Sequence, residues 1–91
     1  MDYVRIEQNM LQASIEARKF LGRNPGIANM VVGIRRTEGL CFNLNTGDRI
    51  LFMSTALFDR WCLGRTYKML GGSTIYHSRT IVSEEGVSTN D

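Results

Sequence analysis

The sequence predicts a small α+β domain in the order α-β-β-β-α-β, an antiparallel sheet packed by an N-terminal helix. Two glycine-closed turns, Thr37-Glu38-Gly39 and Asn45-Thr46-Gly47, divide residues 30–53 into three short apolar runs, the pattern of a β-meander. Apolar residues before the meander recur at helical spacing, and a second capped apolar run follows it. At 91 residues the chain is sized for one domain.

The first helix is expected over residues 3–21. Asp2 caps it and Gly22 closes it in a left-handed conformation. Ile6, Met10, Ala13, Ala17, Phe20 and Leu21 form its buried stripe, and Arg23-Asn24-Pro25-Gly26 is a turn. Val4, Leu11 and Ile15 make a second stripe on another side of the same helix, and a thin domain covers two sides with difficulty. This stripe is the expected oligomer contact, with a homodimer as its simplest form.

If each turn is a type I turn followed by a glycine bulge, the register follows. Ile34 then lies opposite Phe42, Val32 opposite Leu44, Phe42 opposite Ile50, and Leu40 opposite Phe52. The opposite face carries Arg35, Cys41, Asn43, Arg49 and Leu51. That mixture is more polar than a core and less polar than a solvated surface, so these five residues are the expected partner-binding surface.

Ser54 or Thr55 caps a second helix whose buried side is Leu57, Phe58, Trp61 and Cys62. Gly64 ends or breaks it before residues 65–70, and Gly71-Gly72-Ser73 is a turn. Residues 74–82 are rich in β-branched and aromatic types and read as a fourth strand. The domain is thus expected over residues 1–82, followed by a disordered acidic tail over 83–91.

Composition is that of a soluble globular protein, 43% hydrophobic and 22% charged, without a run long enough to span a membrane. Asp2, Glu7, Gln8 and Asn9 interrupt the apolar stretch that a signal peptide needs, so the expected location is cytoplasmic. Cys41 and Cys62 are too few for a disulfide scaffold and are expected as reduced thiols. The net charge of +2 is uneven: residues 23–82 carry eight bases, seven of them Arg, against three acids. Arginine forks match phosphate and carboxylate, so an anionic partner is compatible with this segment.

No motif carries catalysis. His77 stands between Tyr76 and Ser78, and strand alternation sends it to the same side as Arg79 but away from those neighbours, an incomplete acid–base set. Cys41, Cys62 and His77 lack the paired spacing of a zinc site, and neither phosphate-binding glycine fingerprint is present. Helix–strand–strand–strand–helix is also the order of double-stranded-RNA-binding domains. The lysines that class places at the start of its last helix are missing here, so only element order is shared.

The expected function is therefore that of a small non-enzymatic binding protein, without cofactor or metal, that occupies a protein partner or sequesters a ligand. Chains of this kind are common among phage and mobile-element products that inhibit host systems. The alternatives are a nucleic-acid-binding regulator with an Arg-weighted surface and a sponge for an anionic small molecule.

Overall fold

The computed structural model describes residues 1–70 and 75–77. Residues 2–7 are a strand, β1 (Asp2–Glu7), where helical spacing predicts the first turns of a helix. Alternation decides it: Val4 and Ile6 enter one core while Tyr3 enters the other, as suits a strand buried on both faces. The helix α1 (Met10–Arg23) starts only after Asn9, whose side chain accepts the Gln12 N–H at 2.8 Å. Gly22 does not close it, since the left-handed glycines among the described residues are Gly39, Gly47 and Gly64. Asn24 closes it instead, donating Nδ2 to the Phe20 carbonyl at 2.8 Å. Pro25 opens the one-turn helix α2 (Pro25–Ala28) at a position where its missing N–H costs nothing.

The meander follows as β2 (Val31–Arg35), β3 (Leu40–Leu44) and β4 (Arg49–Ser54). Its register agrees with the turn chemistry at Ile34–Phe42, Phe42–Ile50 and Leu40–Phe52. In the second turn the Gly47 N–H bonds the Leu44 carbonyl at 3.0 Å, and the Leu44 N–H bonds Asp48 at 2.9 Å. One pairing differs. A bulge between Val31 and Gly33 puts Val31 opposite Leu44, so Val32 leaves the ladder and is exposed.

Ser54 caps α3 (Thr55–Trp61), accepting the Leu57 N–H at 3.2 Å. Gly64 turns the chain into β5 (Thr66–Met69), a strand in the stretch where the sequence leaves helix open, and β6 (Ile75–His77) pairs with it. The expected strand over 74–82 is thus seen in part, and its remainder and the tail over 83–91 lie outside the described residues.

The fold is α+β, with a sheet of six strands among the described residues, ordered β2-β3-β4-β1-β5-β6. It is mixed rather than antiparallel, because β1 inserts between β4 and β5 and runs parallel to both. Helix α1 lies on one face, over Phe42, Leu44, Ile50 and Phe52, with Ala13 and Ala17 at the closest contact. On the other face α3 lays Leu57, Phe58 and Trp61 over Val4, Cys41, Leu51 and Met53. Phe58, Trp61 and Tyr67 pack edge-to-face or tilted, with ring centroids 5.4 to 6.3 Å apart.

Candidate functional site

The five residues of the expected binding surface do not form one surface. Cys41 and Leu51 are buried in the core beneath α3, the short helix that the mixed composition of this face accommodates. Burial pushes the Cys41 thiol up from its ordinary value. Asn43 is half-buried, its side chain packed beside Gly33 on the neighbouring strand.

Arg49 is held in place. It donates Nε and Nη2 to the two carboxylate oxygens of Asp2 at 2.9 and 2.7 Å, and Nη1 to Glu38 at 3.5 Å. The Asp2 hydrogen bonds hold its guanidinium still more firmly in the charged form. Glu38 also accepts Arg65 Nη2 at 2.7 Å, and the Arg65 guanidinium lies 4.8 Å from the Trp61 ring centroid. This network ties the β2–β3 turn to the α3–β5 loop. Of the five residues, Arg35 is the one left exposed, and it makes no ion pair among the described residues.

The expected oligomer stripe is divided as well. Val4 is fully buried at the centre of the sheet, because its segment is strand rather than helix. Leu11 is 71% exposed and Ile15 half-buried, so these two keep an outward position on α1.

A groove of about 220 Å³ opens between α1 and the meander. Its floor is apolar, from Ala17 and Leu21 of the helix and Leu40 and Phe42 of β3. Arg18 stands on the helical rim and Arg36 on the other, next to Ile34, which is 53% exposed. Arg18 and Arg36 are exposed and, like Arg35, make no ion pair among the described residues. The rim strand β2 is the edge of the sheet, so one row of its backbone N–H and C=O groups has no strand partner among the described residues. An edge strand, an apolar groove and three guanidinium groups without an ion pair among the described residues therefore coincide on one margin of the molecule. Sequence reasoning turns Ile34 inward and sets Arg18 between the two apolar stripes of the first helix, with no site role. The signal available was Arg35-Arg36 closing the first meander strand, since a charged end is what exposed edges carry.

Among the described residues no group of three or more His, Cys, Asp and Glu side chains comes together. No helix there is long and apolar enough to cross a membrane. Comparison with protein-family models, with curated proteins and with solved structures finds no match.

Proposed function

We propose that this chain is a non-enzymatic binding domain that holds a segment of another protein along the groove between α1 and β2. The observation that carries the reading is Ile34, a large apolar side chain 53% exposed on an edge strand beside an apolar groove. Exposed apolar surface rimmed by charge is characteristic of protein contacts. Edge strands accept extended segments through their free backbone groups, while adjoining pockets read side chains. The same three arginines favour a second reading, contact with nucleic-acid phosphates, which would fall steeply with added salt.

The test is selection of binders from a random peptide library, followed by mapping on the isotope-labelled protein. Selected peptides are expected to shift the backbone amide signals of residues 31–36 and of the outward side of α1. Ile34→Asp should abolish those shifts while leaving the melting temperature close to that of the parent. Peptides that map to the α3 face, or that bind Ile34→Asp equally well, would overturn the reading.

A further inference from the structure

The charge around the groove assigns a chemistry to the segment that fits it, and the assignment rests on the docking reading above. We infer that the partner is an extended acidic segment that adds to β2 as an outer strand, with consecutive apolar, acidic and acidic residues facing Ile34, Arg35 and Arg36. Either chain direction relative to β2 satisfies this order, because both parallel and antiparallel additions are open to an edge.

Three observations combine. The bulge at Val32 confines regular strand geometry to the part of β2 from Gly33 to Arg35, and Arg36 follows directly after it. Alternation places Ile34 and Arg36 toward the α1 side and Arg35 toward the other. An added strand alternates in the same way. Its residue beside Ile34 therefore meets the apolar groove, and the residue two further on meets Arg36 and, across the groove, Arg18. The residue between them meets Arg35. Carboxylates at those two positions would make charge-assisted, forked contacts with guanidinium groups that have no other ion-pair partner among the described residues.

The same charges select against other occupants. A second copy of this chain pairing through β2 would bring two further arginines to the shared edge, and like charge at an edge is a device against self-pairing. Nucleic acid would satisfy the arginines but would leave the apolar floor of Leu40, Phe42 and Leu21 without a matching surface. An acidic strand with one apolar side chain satisfies both features.

The composition of the peptides selected in the experiment above tests this. Peptides mapping to β2 should be enriched in an apolar residue followed or preceded by two acidic ones. The double substitution Arg18→Glu/Arg36→Glu should weaken them at least about tenfold, the value of one charge-assisted contact. Selection against that variant should turn toward basic sequences. Peptides that map to β2 but show no acidic enrichment would overturn the acidic assignment and leave the docking reading intact. Peptides that never map to β2 would overturn both. Two further results would reassign the groove: a dimer in sedimentation with β2 amides protected from exchange, or oligonucleotide binding at low salt that depends on Arg18 and Arg36 while peptides fail.

Discussion

Asp2 and Arg49 face each other across the parallel strands β1 and β4, joined by a forked pair of hydrogen bonds of 2.9 and 2.7 Å between residues 47 apart in sequence. Both side chains are mostly shielded, at 19% and 28% exposure. Such a pair stands between an exposed salt bridge, worth under about 1 kcal/mol, and a buried one that costs several to break. A double-mutant cycle with Asp2→Asn and Arg49→Met should give a coupling of about 1 to 2 kcal/mol in urea unfolding. Zero coupling would mean that the fork adds no net stability.

The two meander glycines should differ sharply on substitution. Both have positive φ, +74° at Gly39 and +91° at Gly47. A Cβ on Gly39 would lie 2.7 Å from the Phe52 carbonyl oxygen and 2.9 Å from Met53 Cβ, whereas one on Gly47 meets nothing within 4 Å. Gly47→Ala should cost about 1 to 2 kcal/mol, the penalty of the left-handed conformation alone. Gly39→Ala should cost clearly more or prevent folding, because strand β4 itself must move. Equal midpoints in denaturant would refute the contact.

Val4 and Leu11, grouped by helical spacing, should behave as opposites. Val4 is fully buried between β4 and β5, and Val4→Ala should cost about 2 kcal/mol. Leu11→Ala, at an exposed site, should stay within about 0.5 kcal/mol. Thermal unfolding of the two variants separates strand from helix at the N-terminus.

These differences show what the sequence made legible. The meander was readable because its turn residues act locally: positive-φ glycines set the register at Ile34–Phe42 and Phe42–Ile50 without help from distant parts. β1 was not, because Ile6, Met10 and Ala13 happen to continue the spacing of α1, and a central strand's partners lie at residues 49–54 and 66–69. Asn9 was the local cue, a cap in the middle of the expected helix. The mixed sheet face went unread for a related reason. Its half with Cys41 and Leu51 is covered by a helix of seven residues, and its polar half is closed by the Asp2–Arg49–Glu38–Arg65 network, a pairing that no local pattern announces.

Thiol chemistry offers an independent check of that covered face. Cys41 is 2% exposed and its pKa is raised by burial, so little reactive thiolate forms at mildly alkaline pH. Iodoacetamide on the native protein should modify Cys62, which is half-buried near the end of α3, well before Cys41. Peptide mass mapping reads the order, and denaturation should remove the difference. Rapid native labelling of Cys41 would show that α3 does not cover the sheet.

The position of β1 has a kinetic consequence. β1 precedes the other described strands in the chain and joins the two halves of the sheet, β2-β3-β4 on one side and β5-β6 on the other. The meander can close with local turns, but β1 must wait for partners that arrive some forty and sixty residues later. Folding should therefore end with β1 threading between two preformed edges. Mutations at Val4 would then speed unfolding and leave the folding rate nearly unchanged, the reverse of mutations at Phe42.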